Sequence, residues 1–163
     1  MMDRHFDPAQ IPQYAAVMTV LGYCYHVADF TEIYPYLADG VVSSSFWRWN
    51  DIVGKDEVIR YYEDKAEGMR RDNEYPSFTV VQLGEPEGVE CRSAEGGRTR
   101  LMIWETVGKP CLLLHEIDNA SRMIHALIIP SFDKDGKLER ISISDPALFT
   151  FHRYDFEKGE ASC

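Results

Sequence analysis

The stretch that decides the fold runs from residue 111 to residue 144, CLLLHEIDNASRMIHALIIPSFDKDGKLERISIS. It holds three strand-like runs, at 111–118, 122–129 and 138–144, rich in aliphatic and β-branched residues and separated by short polar segments. Asp133-Lys134-Asp135-Gly136, between the last two, supplies residues suited to a tight hairpin. Two more strands are expected at 77–83 and 99–106, the latter joined to 111–118 by a turn at Gly108-Lys109-Pro110. The Gly- and Glu-rich segment 84–98 reads as a longer loop with room for a short strand at 89–92.

Upstream the hydrophobic period changes from two to between three and four. Ile11, Tyr14, Met18, Leu21 and Tyr25 share one face of a helix expected over 11–28. Asp29, with Glu32 at the capping-box position, predicts a second helix whose buried stripe is Phe30, Ile33, Tyr34 and Leu37 and which Gly40 ends. Residues 41–49 read as a strand that places Ser43, Ser45, Trp47 and Trp49 on one face. Gly54 opens a third helix with Val58, Tyr61, Tyr62 and Lys65 on one face, the Lys65 stem lying along apolar surface and the end falling near Gly68.

Helices followed by hairpin strands argue for an α+β fold: N-terminal helices packed on a strongly curved antiparallel sheet that encloses a small apolar pocket. Within 122–129, Met123, Leu127 and Ile129 oppose Ile124, Ala126 and Ile128, so both faces of the sheet need cover. The helices cover one face. For the other, a homodimer formed through the sheet is the expectation.

The length of 163 residues fits one domain, 1–163, with a core at about 11–145 and an aromatic tail, 146–163, that packs as a lid or against a neighbour. A net charge of −10 repels phosphate backbones and anionic lipid, so neither nucleic acid nor membrane is an expected partner. Four cysteines, Cys24, Cys91, Cys111 and Cys163, lie far apart without CxxC spacing and read as free thiols. Asp3, Asp7 and Pro8 interrupt the apolar run a signal peptide needs, which makes the cytoplasm the expected location. Neither a GxGxxG, a Walker loop nor a nucleophile elbow occurs, and no cofactor is expected.

Two anchors carry a resemblance. One is Asp29 through Leu37, Ala38-Asp39, the strand after Gly40, then Gly54 with Val58, Tyr61 and Tyr62; the other is Phe132 through Leu138, followed by Asp145. Their order and spacing resemble the nuclear transport factor 2-like superfamily, which includes ketosteroid isomerase, scytalone dehydratase and the SnoaL-type polyketide cyclases, over about residues 11–145. The resemblance implies a cystatin-type cone with an internal cavity, often dimerising through its sheet. Carried over residue by residue, the isomerase general base falls at Ser45, the oxyanion tyrosine at Leu21 and its aspartate partner near Ile128. A serine without an activator is no base, and the other two side chains are apolar. Isomerase chemistry of that design is therefore rejected.

Other residues offer different chemistry. His115 and His125 stand on neighbouring expected strands, and a histidine pair in an apolar cavity can move a proton; register places His125 toward the face away from Ile128, so His115 is the stronger catalytic candidate. Tyr25, Ser45, Trp47, Tyr62 and Trp104, with Trp49 nearby, suggest an aromatic wall for a flat or ring-shaped ligand. Asp145 either points into the pocket or bonds its own turn. For a metal, His115, Glu116 and His125 do not converge, because alternation separates neighbouring residues, and the 133–136 segment lacks the remaining calcium-loop acids. The leading expectation is a module binding a small apolar or aromatic molecule. The alternatives are a cofactor-independent lyase, cyclase or isomerase, and a structural dimer with a filled cavity.

Overall fold

The computed structural model describes residues 8–84, 108–118, 121–156 and 160–161. The strands expected at 89–92 and 99–106, with Trp104, Cys91 and Cys163, lie outside the described residues, as does the side chain of His125.

Helix α1, Ile11–Val27, buries Tyr14, Met18, Leu21 and Tyr25 along its expected stripe. Its cap, Ala28, takes the left-handed conformation (φ 54°), and the Arg70 guanidinium donates to the Ala28 carbonyl at 2.6 Å, tying this end to the next long helix. The second expected helix forms only as a 3-10 turn, Thr31–Tyr36. Pro35 lacks an N–H and disfavours helical backbone in the residue before it, so the turn cannot lengthen. The chain passes directly into β1, Leu37–Ser45, and Gly40 lies inside that strand instead of ending a helix. Strand β1 stops four residues short of expectation: the Arg48 N–H donates to the Ser45 carbonyl at 3.0 Å, and the turn lifts Trp47 and Trp49 off the sheet. After the two-residue β2, Ile52–Val53, Gly54 takes φ 98° and donates its N–H to the Val41 carbonyl. Helix α2, Lys55–Asp72, then runs through Gly68 to a left-handed Asn73, about a turn beyond the expected end.

Among the described residues six strands follow in two groups: β3, Ser77–Leu83, β4, Pro110–Asp118, and β5, Ser121–Phe132; then β6, Leu138–Ser144, β7, Phe151–Asp155, and β8, Glu160–Ala161. The sheet order is β2-β1-β6-β5-β4-β3-β7-β8. Among the described strands the pairings are antiparallel, as expected, except that of β1 with β6, which is parallel. The physical reason is connection length: β1 and β6 are joined through a helix and other strands, not a hairpin, and such a crossover permits parallel pairing. Register shifts at Leu37/Val42, Leu114/His115 and Ser131/Phe132 bend the sheet into the cone.

Alternation along β4 and β5 separates two cores. Leu112, Leu114, Ala126 and Ile128 join the helix-side cluster with Met18, Leu21 and Phe30; Cys111, Leu113, Leu127 and Ile129 join the outer one. The tail corrects its expectation as a lid or neighbour contact: β7 adds to the edge of β3, and Phe149 and Phe151 pack on the outer cluster. Leu127 is 0% and Ile129 8% exposed in the single chain. Leu127 and Ile129, part of the apolar face that motivated a homodimer, are thus already buried within one copy. No described helix is long and apolar enough to cross a membrane.

Candidate functional site

A cavity of about 470 Å³ lies between α2 and the concave face of the sheet. Leu114, Ala126, Ile128 and Ile143, from β4, β5 and β6, form its apolar floor. Helix α2 supplies Tyr61, Lys65 and Met69, a row at four-residue spacing that faces the floor. Tyr25 comes from the last turn of α1, Ser45 from the end of β1, Trp47 from the turn after it, and Tyr75 and Pro76 from the approach to β3.

The polar side chains divide by charge. Arg48 stands in the wall with Nη2 donating to Ser43 Oγ at 3.0 Å and its guanidinium carbon 5.0 Å from the centre of the Tyr61 ring. Its Nη1 is buried and hydrogen-bonds nothing. Lys65 Nζ lies 5.9 Å from the centre of the Tyr25 ring. Burial holds the Lys65 pKa below the ordinary amine value; nearby Arg48 adds to the depression and Glu74 opposes it. Burial pushes the Tyr25 phenol well above its ordinary value, and the neighbouring Tyr62 adds to this. The two phenols influence one another, yet Tyr25 Oη has no well-formed hydrogen bond. The lining carboxylate is Glu74, exposed at the rim.

Of the residues singled out from the sequence, Tyr25, Ser45 and Trp47 come together in the cavity wall. Ser45 Oγ accepts from the Trp47 N–H at 3.2 Å. Tyr62 does not line the cavity: it is 1% exposed and stacks on Phe30 in the core, because a one-residue step on a helix turns a side chain by about 100° and Tyr61 takes the inward place. Trp49 is fully exposed. Asp145 accepts the Ala147 N–H at 2.9 Å and caps a 3-10 turn, Pro146–Leu148, so its turn reading replaces the pocket reading. His115 is also corrected: Leu114 faces the cavity, and His115 points to the other face, where Nε2 meets Thr79 Oγ1 at 3.1 Å. The backbone of His125 sits at the bulge in β5, where Ile124 and Ala126 pair with consecutive residues of β4. Arg48 and Tyr61 were missed as site residues. Tyr61 was legible from its four-residue step to Lys65, whereas nothing local marks Arg48, which the turn after Ser45 brings inward.

No protein-family profile and no curated protein matches this sequence. Solved structures do match in fold. A ketosteroid isomerase candidate from Kribbella flavida superposes with a TM-score of 0.51 at 12% identity, covering 82% of this chain and 78% of that one. A SnoaL-like protein of unknown function from Burkholderia thailandensis gives a TM-score of 0.47 at 15% identity, covering 85% and 95%. Rv0760c from Mycobacterium tuberculosis, in complex with estradiol-17β-hemisuccinate, gives 0.46 at 14% identity, covering 90% and 100%. The likeness is one of fold, an α+β arrangement shared with the ketosteroid isomerase candidate.

Proposed function

We propose that this protein is a binding module that holds a small apolar or aromatic molecule in the cavity between α2 and the sheet. The observation that carries this reading is the cavity itself: about 470 Å³, with an aliphatic floor and aromatic walls from Tyr25, Tyr61 and Trp47. That volume and lining suit a ring-containing ligand, whose faces the aromatic side chains contact and whose edges the floor accepts. A structural dimer with a filled cavity does not fit an open space of this size. The enzyme alternatives have less support. Among the described lining residues there is no aspartate, histidine or cysteine, the Ser45 hydroxyl already accepts a backbone N–H, and Leu21 is buried in the core.

The test uses N-phenyl-1-naphthylamine, an uncharged aromatic dye that brightens in apolar surroundings. Saturable enhancement is expected with the natural protein, and its loss is expected in Ser45→Trp, whose indole occupies the cavity while circular dichroism shows the fold retained. No enhancement, or equal enhancement in a folded Ser45→Trp, overturns the reading.

A further inference from the structure

Two buried donor atoms in the cavity wall, Arg48 Nη1 and Tyr25 Oη, make no hydrogen bond to the described residues, and the cationic Lys65 stands in the same wall. Arg48 offers five N–H groups and accepts none; in the structure Nη2 meets Ser43 and Nη1 meets nothing. Lys65 is likewise donor-only and forms no ion pair with a described residue. Tyr25, 2% exposed, carries a buried hydroxyl that makes no well-formed hydrogen bond and has only the Tyr62 phenol beside it as a weak partner. Buried polar atoms are ordinarily satisfied, and an exception calls for an explanation in the site's function. The pattern is more telling in a chain with 27 acidic and 17 basic residues, where carboxylates are the commoner charged groups. Even so, the described lining residues bring two cations together with one carboxylate, Glu74, which stays at the exposed rim.

Like charges near an apolar floor oppose one another, and each is costly to desolvate. One acceptor-only group placed between them relieves both problems and gives the Tyr25 hydroxyl a partner. A water molecule can accept from some of these donors but leaves the charge uncompensated. We propose that the ligand carries an oxyanionic group, a carboxylate in the common biological case, bound by Arg48 and Lys65 with Tyr25 donating, while its apolar body lies on Ala126, Ile128 and Ile143. This rests on the binding reading above and narrows its ligand class to aromatic or alicyclic acids. The depressed pKa of Lys65 fits, since the burial and the neighbouring guanidinium that cause it are what an anion would offset.

The test compares N-phenyl-1-naphthylamine with 1-anilinonaphthalene-8-sulfonate, which has the same ring frame plus one anionic group. The sulfonate is expected to bind at least about tenfold more tightly, the worth of a charge-assisted hydrogen bond. Arg48→Met and Lys65→Met are each expected to remove most of that preference, read as the ratio of the two dyes' affinities within the same folded variant. Competition carries the result to carboxylates: 2-naphthoate should displace the sulfonate dye at lower concentration than 2-naphthamide. If Arg48→Met fails to fold, Arg48→Lys keeps the charge and Lys65→Met alone decides. If the neutral dye binds in a Ser45→Trp-sensitive manner but the anionic dye has no advantage, or keeps it in the folded variants, the inference is overturned and the binding reading stands. If neither dye binds, both fall together.

Discussion

Leu112, Leu114, Ala126 and Ile128 point to the helix side of the sheet, while Cys111, Leu113, Leu127 and Ile129, one residue out of step on the same two strands, point away. The two sets are nearly alike in composition, yet they end in different environments. On the outer side the aliphatic row is sealed, with Phe149 and Phe151 from the tail packed against it. On the helix side the row is filled at one end, where Met18, Leu21, Phe30 and Tyr62 meet in the core. At the other end Tyr61, Lys65 and Met69 face it across open space. Alternation decides which side chains share a face; the cover decides whether that face is a core or a pocket.

The contrast breaks most visibly by deletion. Leu127→Ala, on the sealed side, is expected to cost about 2–5 kcal/mol, because the lost methyl groups leave a cavity that close packing cannot collapse. Ile143→Ala enlarges a space that already exists and is expected to cost under about 2 kcal/mol. Urea melts of both variants measure the difference, and equal losses would mean that the two faces are packed alike.

A smaller effect of opposite sign sharpens the comparison. Tyr25→Phe removes a buried hydroxyl that has no well-formed hydrogen bond, and the ligand-free protein is expected to gain up to about 1 kcal/mol. The same substitution should weaken binding of the anionic dye. A loss of stability in thermal melts would show that the hydroxyl is satisfied in solution.

The smallest expected effect is kinetic. Burial raises the thiol of Cys24, on α1, to about 11 and that of Cys111, on the outer face, to about 12, from an ordinary 9.0. Both should resist iodoacetamide at pH 8, since the reactive thiolate is scarce. As pH rises Cys24 should react first, with peptide mass spectrometry locating the label. The sign for stability follows. A neutral thiol retained by the fold contributes fully below pH 9, where the unfolded thiol is also protonated; that contribution is lost as pH climbs from 9 through 11 to 12. Rapid labelling of Cys111 at pH 8 in the folded protein would show that the outer face opens.

Several features of the fold could be read from local chemistry. The three- and four-residue steps from Ile11 to Tyr25 can bury one stripe only as a helix, and Asp133 shapes its hairpin by accepting the N–H groups of Asp135 and Lys137 at 2.9 Å each. Ser77–Leu83 and Leu138–Ser144 are strands with the expected bounds. Errors arose where one local preference competed with another. Gly40 looked like a helix stop but sits in β1, because Pro35 had already limited the turn before it. Tyr62 looked as available as Tyr61, since both lie on the same broad helical face and only packing against Phe30 tells them apart.

By itself, the sequence determined the two long helices, the hairpin at Asp133 and the two apolar faces of the central strands, because each depends on neighbours a few residues apart. Only the tertiary structure decided the rest: that the tail joins the edge of β3, that His115 turns outward, and that Arg48 enters the cavity beside Lys65 and Tyr25. These outcomes depend on long-range pairing, on where a strand ends, and on how the resulting turn directs one side chain. Arg48 and Lys65 are 17 positions apart, on different elements, and no local pattern records that they share a wall.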